Sequence, residues 1–311
     1  MRHKKLFSIK KKINIINFNN IKFTHIYIIY NIFSMLNGAI SGVVSTIFSL
    51  PFQVISTNMK TSNESSMINV IKNIYKLEGF NGFYRGLLPN LIKIPLAHAL
   101  FFKGVETTTD FCKNKLKLKN ELLINSIAST VAISTECLAL NPLLLVSTRN
   151  EKIGFNKYKN IIDGLITIKK TEGLKGYTKG LKPLLLKELP SKGIFYVLYQ
   201  YNYKYFKKSN YYFINKYSSS ISAIISGILV TVIDNPFDNI RTRAQVKHIN
   251  KEYDEEDKNI NKIYYTLKDK YKKEGIYGIQ KGLIPRIYKK LMSGTITIAI
   301  YQLLKNKKYN I

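Results

Sequence analysis

Glu78-Gly79-Phe80-Asn81-Gly82-Phe83-Tyr84-Arg85-Gly86-Leu87-Leu88-Pro89 is one of three copies of a single phrase. It returns as Glu172-Gly173-Leu174-Lys175-Gly176-Tyr177-Thr178-Lys179-Gly180-Leu181-Lys182-Pro183, and again as Glu274-Gly275-Ile276-Tyr277-Gly278-Ile279-Gln280-Lys281-Gly282-Leu283-Ile284-Pro285. An acid, three glycines, a base, a leucine and a proline keep the same spacing in all three. One copy would signal a turn. Three in register signal an internal repeat, which decides the architecture before any single element does.

The surroundings of each copy repeat as well. Pro51, Pro142 and Pro236 close long apolar segments, and Pro89, Pro183 and Pro285 open the next ones. Between them lie stretches whose apolar residues fall at helical spacing: Met67 to Tyr75, Tyr158 to Thr171 and Ile260 to Lys273. Each reads as a short amphipathic helix at a membrane surface, the first capped by Ser65 or Ser66. The acidic patch Glu252 to Asp257 reads as a solvated loop.

The chain has 311 residues, a formal net charge of +30 and a mean hydropathy of -0.09. That average hides a strong segregation of charge. No Asp or Glu precedes Glu64, and from Phe23 to Met59 the one side chain able to carry charge near neutral pH is His25. This run exceeds the roughly 20 apolar residues that span a bilayer. Within it, Gly38-Ala39-Ile40-Ser41-Gly42 sets small residues four apart, which lets helices approach closely in lipid. The positive charge has two readings: attraction to phosphate groups of lipid, or a composition biased towards Lys and Asn throughout. Nucleic-acid binding is excluded as a reading, because no zinc spacing, aromatic platform or recognition helix accompanies the charge. Residues 1–30, basic and acid-free, read either as an organelle-targeting segment or as a solvated tail.

Cys112 and Cys137 give neither a disulfide framework nor a metal spacing, and read as reduced helix residues. The four histidines form no triad and no metal set. Of these, His98 reads as a packed, hydrogen-bonded residue of the second long helix. No catalytic set and no cofactor site emerge, so an enzyme is not expected.

The third apolar segment ends in Asn235-Pro236-Phe237-Asp238-Asn239-Ile240-Arg241-Thr242-Arg243-Ala244-Gln245. Its Pro-x-acid-x-x-base pattern, followed at an interval by the acid-Gly and aromatic-base-Gly of Glu78, Gly79, Tyr84, Arg85 and Gly86, resembles the mitochondrial carrier family. The resemblance runs from about Asn31 to Lys305. It implies an all-α membrane protein: six transmembrane helices in three pseudo-symmetric repeats, with three matrix surface helices around a water-filled cavity. The repeats then fall at residues 31–118, 119–210 and 211–311. It further implies a multi-pass solute transporter of the mitochondrial inner membrane, with cardiolipin or another anionic lipid as partner, working as a monomer.

Charge on the even segments supports a wet interior independently. Lys93, Lys187 and Lys289 each lie four residues after the repeat proline, hence at equal depth. A lysine at bilayer depth costs at least about 2.5–3.5 kcal/mol unless it meets water or a partner. The alternative, snorkelling towards a helix end, does not explain three matched positions. These lysines, with Glu188, are the expected substrate-binding residues. A base-acid pair at Lys187 and Glu188 resembles carriers of amino-acid-like substrates, which points to a small anionic or zwitterionic metabolite.

Gating residues follow from the same resemblance. The acid positions of the matrix gate read Gln53, Leu144 and Asp238, and the base positions Ser56, Ser147 and Arg241. The third motif alone is complete, with Gln245 in the place of a glutamine that often follows it. Gln53 and Ser147 are left to hydrogen-bond, and on the opposite side Glu106 and Lys305 are left to pair across the mouth. Both gates are therefore expected to be lightly latched, which keeps a second reading open: a carrier-shaped scaffold or receptor that does not transport. Arg85-Gly86, Lys179-Gly180 and Lys281-Gly282 open helices and are the expected lipid-binding sites, because helix N-termini attract phosphate. Glycine at these places also serves plain turn chemistry.

Overall fold

A computed structural model describes residues 40–62, 64, 66–155, 158–246 and 260–306. The basic segment 1–30, the residues Gly38 and Ala39 and the acidic patch Glu252 to Asp257 lie outside the described residues. Six long helices dominate: α1 (Ile40–Thr61), α3 (Leu87–Asn114), α4 (Glu121–Glu151), α6 (Leu181–Lys207), α8 (Ser218–Val246) and α10 (Leu283–Asn306). Three surface helices, α2 (Met67–Glu78), α5 (Ile161–Gly176) and α9 (Ile260–Ile279), connect the long helices within each repeat, and a short α7 (Tyr212–Lys216) leads into α8. At about 1.5 Å per residue, the 24 residues of α10 reach about 36 Å, enough to cross the roughly 30 Å of a bilayer core. By length and apolar composition α1, α4 and α8 qualify as spans on their own. The second, fourth and sixth of the six, α3, α6 and α10 (the even helices, with α1, α4 and α8 the odd ones), are as long but carry charge, and turn Lys93, Lys187 and Lys289 to the cavity described below.

Polarity is arranged inside out. Large apolar side chains such as Phe48, Phe102, Leu138, Val197, Ile233 and Leu303 stand exposed on all six long helices. In water such a surface would associate; in lipid it is the solvent-facing side. The buried contacts between helices use small residues instead. Ser41, Ser45 and Ser49 on α1, and Ser218, Ser222 and Ser226 on α8, are buried at four-residue intervals. A Cβ on Gly104 of α3 would lie 3.0 Å from Ala132 of α4, so these backbones are nearly in contact.

The prolines differ from expectation in one respect. Pro142 and Pro236 lie inside α4 and α8, and Pro51 lies inside α1. Each odd helix continues for nine or ten residues past the proline before it ends. The lower part of α1 is held by apolar packing, with Leu50, Val54 and Met59 against Val70 and Ile74 of α2. Leu145 and Val146 of α4 pack on Ile168 of α5 in the same way. Ser66 caps α2 through the Asn69 N–H, as one of the two expected candidates.

The repeat phrase explains its own glycines. Its first glycine stands at φ 63, 67 and 65 in Gly79, Gly173 and Gly275, breaking the surface helix in a conformation that costs other residues energy. Its third glycine, at φ 73, 72 and 75 in Gly86, Gly180 and Gly282, starts the even helix. The free thiols Cys112 and Cys137 are buried in α3 and α4.

One position breaks the threefold pattern. Ile74 and Ile168 precede the phrase's acid by four residues and are fully buried; the third repeat has Lys270 there. Its ammonium donates to Asn239 Oδ1 and to the Gly278 carbonyl, each at 3.0 Å. Burial, and then the charge of Arg243, lower its pKa from 10.5 to about 7. The folded state thus binds this proton less well than the unfolded chain, so stability rises as pH climbs from about 7 towards 10.5. Thermal unfolding in detergent is expected to show that rise, and Lys270→Ile to flatten it; an unchanged slope in the variant would contradict the assignment.

Candidate functional site

The even helices and the odd helices enclose a cavity of about 650 Å³. Lys93, Lys187 and Lys289 all line it, together with Glu188. The equal offset from the repeat proline thus brings the three lysines to one space rather than to lipid. Their partners differ. Lys187 pairs with Glu188 at 2.9 Å and with Asp238 at 3.2 Å. Lys93 donates to Asn90 Oδ1 at 3.2 Å. Lys289 has no hydrogen bond or ion pair among the described residues. The ring is therefore uneven: charge is satisfied on the α6 side and available on the α3 and α10 sides.

Below the lysines the cavity is closed, and more firmly than the motif positions predict. Asp238 is 5 % exposed and is paired with cations on four helices. Lys60 of α1 is 2.5 Å away, Arg241 of α8 itself 3.1 Å, Lys187 of α6 3.2 Å and Arg286 of α10 3.5 Å. Arg286 also pairs with Asp234 at 2.8 Å and donates to Asn235 Oδ1. A second buried carboxylate, Glu151, gathers α1, α3 and α4. It accepts from Gln53, from Thr57 at 2.7 Å, from Asn90 at 3.0 Å and from Ser147 at 3.1 Å. Between α4 and α8 the joint is made by Arg149, whose Nε donates to the Gln245 carbonyl at 2.9 Å, and by Gln245, whose amide reaches Asn141 at 3.3 Å.

This corrects the expectation of a lightly latched matrix gate. Gln53 and Ser147 do not bond each other; both bond Glu151. Hydrogen bonds to a charged group contribute about 1.5–3 kcal/mol, against about 1 for a neutral pair. Lys60, Glu151 and Arg286 were not marked by the motif. A signal existed: Lys60 and Glu151 stand nine residues after Pro51 and Pro142, as Gln245 stands after Pro236.

The opposite mouth has no comparable lattice of buried charge among the described residues. Glu106 pairs with Lys103 on its own helix at 2.9 Å, and both side chains are well exposed. The Lys305 side chain lies outside the described residues. Tyr199 of α6 bonds Ser219 of α8 at 2.9 Å. His98, expected to be packed, is exposed instead and rests beside the ring of Phe102.

The bases of the repeat phrase are already engaged. Arg85 pairs with Glu78 and donates to the Phe155 carbonyl. Lys179 pairs with Glu172 at 2.7 Å, and Lys281 donates to the Ser62 carbonyl at 2.9 Å. Beside Gly86 a groove of about 390 Å³ runs to Lys159, Asn160 and Ile161 at the start of α5.

Comparison with known proteins agrees with this geometry. The family profile described as "Mitochondrial carrier protein" matches residues 30–116, 119–210 and 214–310. The chain belongs to the mitochondrial carrier family. It is a multi-pass protein of the mitochondrial inner membrane and a solute transporter rather than an enzyme. Relatives include the mitochondrial glycine transporter of Vanderwaltozyma polyspora, 26% identical over 301 residues, covering 88% of this chain and 97% of the relative. Mitochondrial substrate carrier family protein M of Dictyostelium discoideum is 27% identical over 306 residues, covering 91% and 98%. The mouse mitochondrial glutathione transporter SLC25A40 is 28% identical over 253 residues, covering 79% and 73%.

Each even helix of this carrier opens against the next repeat. A Cβ on Gly282 would meet the Ser56 carbonyl and hydroxyl at 3.0 Å, and one on Gly86 would meet the Ser147 carbonyl at 3.1 Å. Gly282→Ala adds this clash to an unfavourable positive φ, and is expected to lower stability by about 1–3 kcal/mol. Gly193→Ala, with open space around it, is expected to change it by less than about 1 kcal/mol. Melting temperatures in detergent check both; equal effects would show that the glycine contact is not tight.

Proposed function

We propose that this carrier moves a small anionic or zwitterionic metabolite, of amino-acid or carboxylate type, by alternating access. The observation that carries the reading is the uneven lysine ring in one cavity. Lys93 and Lys289 offer positive charge that the protein does not satisfy with an acid, and they suit a carboxylate as point charges. Lys187 and Glu188 stand opposite as a base-acid pair able to exchange partners with an amino and a carboxyl group. Several relatives being named glycine transporters is consistent with a substrate of this class. A ligand drives the switch only by binding the occluded state better than the open one.

Asp238, Arg241, Gln245, Gln53 and Ser147 serve the matrix gate in this reading, and Glu106 with Lys305 the opposite one. A cardiolipin headgroup is the proposed occupant of the helix openings at Arg85-Gly86, Lys179-Gly180 and Lys281-Gly282. With the bases held by neighbouring groups, backbone N–H groups would do most of the binding. The proposed working unit is a monomer. The scaffold reading rested on the eroded proline motifs at Pro51 and Pro142; the charges at Lys60 and Glu151 support transport against it.

Uptake of labelled glycine, other amino acids and dicarboxylates into proteoliposomes tests the proposal. One of them is expected to accumulate, and Lys93→Ala or Lys289→Ala to reduce its uptake about 10–100-fold, the loss of one charged contact. Folded protein that takes up none of these solutes, or alanine variants that transport as well as the parent, would contradict it.

A further inference from the structure

We propose that Lys60 and Glu151 are the charged latches of the cavity floor, acting one helical turn beyond Ser56 and Ser147, the positions where the proline pattern calls for a base. This rests on the chain being a solute carrier and not on the substrate class proposed above.

Three observations converge on it. First, position. Lys60, Glu151 and Gln245 occupy the same place in the three repeats, nine residues past the odd-helix proline and four past Ser56, Ser147 and Arg241. Four residues is one turn, so the displaced charge stays on the same helical face. Second, space. The stem of each rests on the glycine that opens an even helix. A Cβ on Gly282 would lie 3.1 Å from Lys60 Cε, one on Gly86 3.2 Å from Glu151 Cγ, and one on Gly180 2.8 Å from Gln245 Cγ. Three equivalent grooves thus receive three long side chains, and two of those are charged.

Third, connection. Lys60 reaches across to Asp238 on α8, and Glu151 across to Gln53 and Thr57 on α1 and to Asn90 on α3. Ser56 makes a neutral bond to the Gly282 carbonyl at 2.9 Å, and Ser147 bonds only Glu151 on its own helix. Among the described residues, the charged side chains that α1 and α4 extend across the floor are therefore Lys60 and Glu151, with Arg149, which meets the Gln245 carbonyl; from the other side, Arg243 of α8 donates to the Lys60 carbonyl at 2.6 Å. A solute in the cavity cannot pass while these links hold, so a carrier must break them on each cycle. Both side chains are nearly fully buried, so the links are shielded from water when closed. Opening would expose them to the cavity, where hydration offsets part of the lost attraction.

The test is an anion leak, because a floor that opens while the far mouth stands open makes a channel. Parent and variant proteins are reconstituted in liposomes holding a chloride-sensitive dye, with chloride as the probe and no metabolite needed. Lys60→Gln is expected to raise chloride entry about tenfold or more, the population shift that follows loss of one charged hydrogen bond from the closed state. Lys60→Arg, which keeps the charge, and Ser56→Ala are expected to leak within about twofold of the parent. Glu151→Gln, set against the same Ser56→Ala control, is the second comparison, and it decides the matter if Lys60→Gln does not reconstitute as folded protein. Charge-removing variants that stay as tight as the parent, or Ser56→Ala leaking as much as Lys60→Gln, would overturn the proposal. Chloride leak is independent of which metabolite is carried, so this result and the uptake screen can fail separately.

Discussion

One buried carboxylate, Asp238, holds the matrix end of this carrier together. Cations from α1, α6, α8 and α10 converge on it, so that three repeats are tied at a single point. Such a group is costly to desolvate and is stable only while its partners stay in place. That makes it suited to a protein with two arrangements. In one, the repeats meet and the carboxylate is fully satisfied. In the other, water must replace the partners. Glu151 provides the second tie with hydrogen bonds alone, and Arg149 with Gln245 the third. The three ties differ in strength although the helices that make them are related by threefold pseudosymmetry.

The same helices solve a second problem, that of charge in lipid. Large apolar residues face outward and small serines face neighbouring helices, while Lys93, Lys187, Lys289 and Arg286 line the cavity. The excess of positive charge that looks excessive for a globular protein is thus partly internal. Within the cavity, acids pair with Lys187 on the α6 and α8 side, while Lys93 and Lys289 make no ion pair among the described residues on the other. A polarised cavity of this kind orients a zwitterion as well as attracting an anion.

Much of this was legible in the chain itself. The threefold phrase predicts the architecture because its glycines answer backbone demands that recur in every repeat: a left-handed break at Gly79, Gly173 and Gly275, and a tight helix opening at Gly86, Gly180 and Gly282. Equal offset was enough to place Lys93, Lys187 and Lys289 in one cavity. The gate was legible only in part. Reading motif positions singly finds Ser56 and Ser147 empty, but the floor is a lattice in which a long side chain one turn away reaches the same partner. Arg286 was missed for a related reason: nothing in its own sequence neighbourhood announces Asp234 and Asp238, which lie about fifty residues earlier and meet it only in the fold. His98 shows the converse, since a lone histidine on a long helix gives no sign of which side it faces.

The central claim is that the three matched lysines face a water-filled space that is open on one side of the membrane and closed at the matrix end. Single cysteines at positions 93, 187 and 289, introduced one at a time in a Cys112→Ser/Cys137→Ser background, test it directly. A membrane-impermeant thiol reagent is added to the outer face of mitoplasts and the rate of labelling is measured. The account predicts that all three react from that side in intact membranes. Failure of all three to react until the bilayer is dissolved would place them against lipid and contradict it.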